Sequence, residues 1–178
     1  MIGWNGNNNL THVSEIELKI LKGMREMKHP FYLKAVWNGG RNSEGHIDAG
    51  GLKTIISIPQ EMGGPGTGTN PDEMLLGAAA TCYLITLAAM LERSDLTPQE
   101  LALESEAIVD VTNNVFTYER IIHKPRIVLK ADASEAERTK AERLAHRAEE
   151  SCMISRALAG NVSIETQPTI VITGINEE

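Results

Sequence analysis

The stretch from Asp72 to about Arg93, within PDEMLLGAAATCYLITLAAMLER, constrains this chain more than any other. After its first turn it is apolar on nearly every side, which is the pattern of a buried central helix rather than a surface one. Asn70-Pro71 marks the start. The Asn side chain can accept from an orphan amide, and proline needs no amide partner at the first helical position. Gly77, Thr81 and Thr86 interrupt the apolar run between Met74 and Leu91, so the sequence argues against a membrane span. A helix of this kind needs a body around it. A chain of 178 residues, 42% of them hydrophobic, can bury a core large enough to supply one.

The flanking segments read mostly as strands. Leu10 to about Met27 has one apolar helical face, and His29-Pro30 ends it because a residue before proline is pushed out of helical geometry. Phe31 to Trp37 alternates as a strand, Asn38-Gly39-Gly40 is turn chemistry, and Gly45 to Ile58 is extended with a bend or bulge at Gly50-Gly51. The run from Gly63 to Pro71 is a loop without the lysine of a phosphate cradle, and its glycines suggest flexibility. Leu101 to Thr112 and Val115 to Lys130 form two long strands around a hairpin turn at Asn113-Asn114, with Pro125 pointing to an edge or bulge. Ser134 to about Ser151 is a charged amphipathic helix, ISRAL adds a helical turn, and Val162 to Ile175 closes the chain as a strand. The expected class is α+β, helices packed on a largely antiparallel sheet.

Seventeen Lys and Arg against 24 Asp and Glu leave a formal charge of −7, which offers no field for a polyphosphate backbone. Nucleic acid and membrane are therefore poor partners. No basic stretch followed by an apolar one opens the chain, so a cytoplasmic protein is expected. There its two cysteines, Cys82 in the central helix and Cys152 at the end of the amphipathic one, persist as thiols. Each alone is more often inert packing than a nucleophile. No CxxC and no His/Cys cluster suggests a metal. His46, His123 and His146 read as structural or surface residues, and Glu149 and Glu150 as a solvated face whose closeness to Cys152 leaves a minor role open.

Three segments carry more information together than apart: GTGTNPDEMLLGAAATCY, AEESCMISRAL followed by GNVSI, and WNGGRNSEGHIDAG. In this order they resemble the OsmC/Ohr family, the osmotically inducible protein C and organic hydroperoxide resistance proteins. The resemblance runs from about Phe31 to Ile175. It divides the chain into an N-terminal extension, residues 1–28, and an OsmC/Ohr-like domain, residues 29–178. It implies an intertwined homodimer with active sites at the interface and no bound cofactor or metal. It further implies a cysteine peroxidase that reduces organic hydroperoxides. By that resemblance Cys82 matches the peroxidatic cysteine, Cys152 the resolving one and Arg41 the assisting arginine. Asp72 stands where the family typically has Glu, with Glu73 beside it, and Met153 stands where it commonly has Pro. An external dithiol, with a lipoyl type among the candidates, is the implied reductant. The alternative on the same fold is a small-molecule or fatty-acyl binding or redox-sensing protein without peroxidase turnover.

The residue types suit that chemistry. Burial alone raises a thiol pKa, so something cationic must offset it, and a guanidinium stays protonated while offering several donors. Asp72 and Cys82 on one regular helix are ten residues apart, about 15 Å along the axis. Either the first turn folds away, or the carboxylate serves the sulfur of a partner subunit.

Overall fold

The computed structural model describes residues 27–173. The expected N-terminal helix lies outside the described residues but for Met27. Three short strands come first: β1 (Lys34–Trp37), β2 (Gly45–Ala49) and β3 (Leu52–Ile56), antiparallel in that order. The long strand expected from Gly45 to Ile58 is in fact two, because Ala49 pairs with Leu52 across a tight turn. Gly50 makes that turn at φ +67°, a left-handed conformation that a glycine takes without steric cost.

The glycine-rich run is also not the flexible loop its composition suggests. It folds back on the end of β3, where the Thr69 amide donates to Ile55 O at 2.9 Å and the Ser57 amide to Thr69 O at 3.0 Å. The Thr67 amide donates to Ser57 Oγ at 2.7 Å. Gly68 permits the approach, since it sits at φ +70° and a Cβ there would lie 2.2 Å from Ile55 O. Composition reported the turns correctly but could not report their partners.

Helix α1 (Pro71–Arg93) starts as expected, with Asn70 Oδ1 accepting from the Glu73 amide at 2.9 Å. It ends on Asp95 at φ 55°, with the Leu96 amide reaching Leu91 O and the Asp95 amide reaching Glu92 O. This paired-bond ending usually takes a glycine. Strands β4 (Glu100–Thr112) and β5 (Val115–Leu129) follow as an antiparallel hairpin turned by Asn113 and Asn114 at φ 55° and 62°. Both positions are left-handed, as a two-residue hairpin loop requires.

Helix α2 (Glu135–Ser151) opens with a capping box, Ser134 and Glu137 each bonding the other's amide. Helix α3 (Met153–Leu158) follows after Cys152 alone, and β6 (Ser163–Thr166) and β7 (Thr169–Ile172) both lie parallel to β5. The terminal strand is thus two short ones, with Gln167 and Pro168 between them.

Strand β5 is central, which overturns the reading of Pro125 as an edge or bulge. Pro125 is fully buried and pairs in register with Leu103. On its other side β6 ends opposite His123 and β7 begins opposite Arg126, so the missing proline amide falls in the gap between two partners. The ladder's irregularity lies instead between Ile108 and Val109.

The core forms where α1 and α2 pack on this four-stranded sheet. Tyr83, Leu87 and Leu91 of α1 meet Ile127 and Leu129 of β5 and Ala141, Leu144, Ala145 and Ala148 of α2. The buried Tyr83 hydroxyl donates to Ala145 O at 3.0 Å. By length and apolar content α1 does qualify as a membrane span, contrary to the sequence reading, but this packing is that of a core helix. The expectation that it is buried nearly all round also needs correction. Its opposite face, Ala78, Thr81, Ile85 and Ala88, is exposed in the single chain, Ile85 by 70%.

Candidate active site

The two cysteines meet where α1 passes the junction of α2 and α3. Cys152 has φ −64° and ψ 128°, an extended residue that ends one helix and starts the next. This kink turns the first amides of α3 toward the sulfurs. Cys82 lies one position before the core residue Tyr83 and is half-buried, whereas Cys152 is fully buried, and both are free thiols.

Their environments push their acidities apart. For Cys82, burial works against ionisation, but hydrogen bonds from the Cys152 thiol, the Ile154 and Met153 amides and the Thr86 hydroxyl outweigh it. The result is a thiol below its ordinary pKa. Thr86 is the smallest of these contributors and also donates to Cys82 O at 2.8 Å. For Cys152, burial raises the pKa and the contact with Cys82 raises it further, ahead of the opposing amides and hydroxyl of α3. A short helix start thus supplies donors to one sulfur while the other is kept protonated.

Met153 takes part through its backbone. Its amide is one of the Cys82 donors, and a proline at that position would have none.

The other candidate residues stand elsewhere in the single chain. The Arg41 guanidinium, in the turn between β1 and β2, donates to Met62 O at 2.7 Å, Gly63 O at 3.3 Å and Asn42 Oδ1 at 3.1 Å. Asp72 is in the first turn of α1, where its carbonyl accepts from the Tyr118 hydroxyl at 3.3 Å. After burial, the nearby Asp72 charge is the second cause raising the Tyr118 pKa. Glu73 accepts from Thr69 Oγ1 at 2.7 Å. Neither Arg41 nor Asp72 is among the groups acting on the two thiols. Because α1 runs unbroken from Pro71, the first turn does not fold away from the helix that carries Cys82.

A buried polar layer adjoins Tyr83, the residue after Cys82. His123 on β5 is fully buried, with its ring stacked on Tyr83 at 4.7 Å between centroids and an interplanar angle of 17°. Its Nδ1 shares a hydrogen with Ser105 Oγ at 2.8 Å, and burial depresses its pKa to about 4. Glu149 is half-buried rather than solvated, while Glu150 is exposed. Ser155, a buried residue of α3, acts on both Cys152 and Glu149. No sequence signal marks Ser155, because its position depends on the kink at Cys152. Among the described residues no three His, Cys, Asp or Glu side chains gather to hold a metal ion.

A thiol pair held at a helix junction, on helices covering a four-stranded sheet, defines an α+β protein with a candidate dithiol site. The chain belongs to the OsmC-like protein family, whose model matches residues 64–167 and so takes in both cysteines. It is 60% identical over 146 residues to the uncharacterized protein YmaD of Bacillus subtilis, covering 82% of this chain and 97% of that one. To the organic hydroperoxide resistance protein OhrB of the same organism it is 27% identical over 140 residues, covering 77% of this chain and 96% of the relative. Among solved structures, an organic hydroperoxide resistance protein OsmC from Legionella pneumophila superposes with a TM-score of 0.64 at 25% identity, covering 80% of this chain and 99% of that one.

Proposed function

We propose that the chain is a thiol-dependent peroxidase that reduces organic hydroperoxides to alcohols. The observation that carries this reading is the thiol contact itself: Cys82 held below the ordinary thiol range against a protonated, buried Cys152. The Cys82 thiolate attacks the terminal peroxide oxygen. An S–O bond forms, the O–O bond breaks, and the departing alkoxide takes a proton to leave as alcohol. The resulting sulfenic acid condenses with Cys152, forming the S–S bond and releasing water before further oxidation. An external dithiol, of the lipoyl type for example, resets the pair by exchange. Cytoplasmic reducing conditions suit such a cycle.

In this reading Arg41 and Asp72 act across a homodimer. The guanidinium offers donors to the thiolate and to a peroxide oxygen, and the carboxylate holds the guanidinium in place. Support comes from the uncovered face of α1 and from the unbroken helix that keeps Asp72 away from its own Cys82. The names of the OhrB relative and the Legionella structure agree with a hydroperoxide substrate.

The test is thiol titration of reduced protein with cumene hydroperoxide. Two thiols should disappear per alcohol released, and Cys82→Ser should abolish the loss. Cys152→Ser should still lose its one remaining thiol and then over-oxidise. Unchanged thiols in the parent protein would defeat the proposal.

A further inference from the structure

Cys152 must give up a proton as it closes the disulfide, yet it is enclosed completely. A fully buried thiol cannot hand that proton directly to bulk water. Two groups are placed to receive it. Ser155 lies one turn along α3, 4% exposed, and its Oγ has no hydrogen bond of full geometry among the described residues. That same hydroxyl favours the ionised form of both the Cys152 thiol and the Glu149 carboxyl. Glu149 lies one turn back along α2, where its carbonyl accepts the Cys152 amide at 3.1 Å. A buried hydroxyl with no fixed partner, three residues on from the thiol, is free to rotate. That is what a proton relay needs.

We propose that Glu149 is the proton acceptor for Cys152, reached through the Ser155 hydroxyl. As Cys152 Sγ attacks Cys82, its proton passes to Ser155 Oγ while the Ser155 proton passes to the Glu149 carboxylate. The S–S bond forms, and the S–O bond to the sulfenic oxygen breaks. Protonated Glu149 then releases its proton to solvent on its half-exposed side, and the hydroxide leaving Cys82 takes up a proton from solvent and becomes water. The groups bearing on Glu149 are Glu150 on its own helix, Tyr83 on α1 and Ser155 on α3. Burial first, and then the Glu150 charge, raise the Glu149 pKa above the ordinary carboxylate value, which makes it a better base.

The proposal rests on Cys82 and Cys152 being a closing pair, and its test avoids peroxide. Dithiobis(nitrobenzoate) reacts first at Cys82, releasing one coloured thiolate, and Cys152 then displaces a second from the mixed disulfide. In Glu149→Gln the second release should slow by about tenfold relative to the first. Its rate should then climb with pH, without the plateau that Glu149 ionisation gives the parent protein. Ser155→Ala should do the same, and Glu149→Asp should restore part of the rate. An unchanged ratio in Glu149→Gln would overturn the relay, as would a slower second release with the parent's pH profile. Failure of cumene hydroperoxide to oxidise the parent would sink the peroxidase reading alone.

Discussion

The four-stranded and three-stranded sheets are built from similar residues and reach opposite states. In the larger sheet Ile121, Ile127, Val128 and Leu129 are buried beneath α1 and α2. In the smaller one Val36, Trp37, Leu52 and Ile55 remain 47%, 42%, 49% and 48% exposed. Phe31, Tyr32 and Leu33, just ahead of β1, are more exposed still. One half of the chain completes its own core, leaving uncovered the outer face of α1 and the tip of the β4–β5 hairpin, while the other presents most of its apolar side chains on a surface that a single copy leaves open. The proposed site divides along the same line. Both thiols belong to the completed half, and Arg41 belongs to the uncovered one. On this account folding of the thiol pair needs one chain, whereas assembling the arginine with it needs two.

Four substitutions would break or sharpen that contrast. The largest effect should come from Tyr83→Ala, which empties the centre of the completed half and removes the hydroxyl donor to Ala145 O. A loss of about 3–5 kcal/mol is expected by urea denaturation, the range for truncating a buried aromatic. Ile85→Arg should do the reverse. It should leave the unfolding midpoint of a single chain nearly unchanged but convert the proposed dimer to a monomer on sizing, with peroxide-driven thiol loss falling as well. Retention of the dimer would show that α1 is not its interface.

Acid should weaken the completed half through His123. Its folded pKa of about 4 lies below the unfolded value of about 6.5, so the neutral ring is the form the fold favours. Stability present above the unfolded pKa should decline as pH falls through 6.5 toward 4, by on the order of 2 kcal/mol. In His123→Gln the slope of stability against pH over that window should flatten. The smallest effect should be that of Met153→Pro. The preceding Cys152 already has the extended geometry a pre-proline residue prefers, and the first helical position accepts proline. The fold should survive while Cys82 loses one amide donor. Its thiolate absorbance should then titrate at a higher pH than in the parent.

Local chemistry was readable in the sequence wherever neighbouring residues decide the outcome. Asn70-Pro71 started a helix and Asn113-Asn114 turned a hairpin, each through contacts within four residues. Readings failed where a distant strand decides. Pro125 looks like an edge residue until two separate short strands are seen to leave a gap beside it. The glycine run looks mobile until Thr69 is found on Ile55. At the site, Cys82 and Cys152 were suggested together by family resemblance, since nothing in their spacing brings them into contact. Ser155 was invisible, and Glu149 was legible only as a near neighbour of Cys152, because the burial of both depends on the one-residue break between α2 and α3.

The most direct measurement of the central claim is a peptide map of reduced protein treated with one equivalent of cumene hydroperoxide, digested without reductant and read by mass spectrometry. A linked peptide pair containing Cys82 and Cys152, two hydrogens lighter than the sum of its thiols, is the expected product. Cys82 recovered as a free thiol, with no such linked pair, would contradict the account.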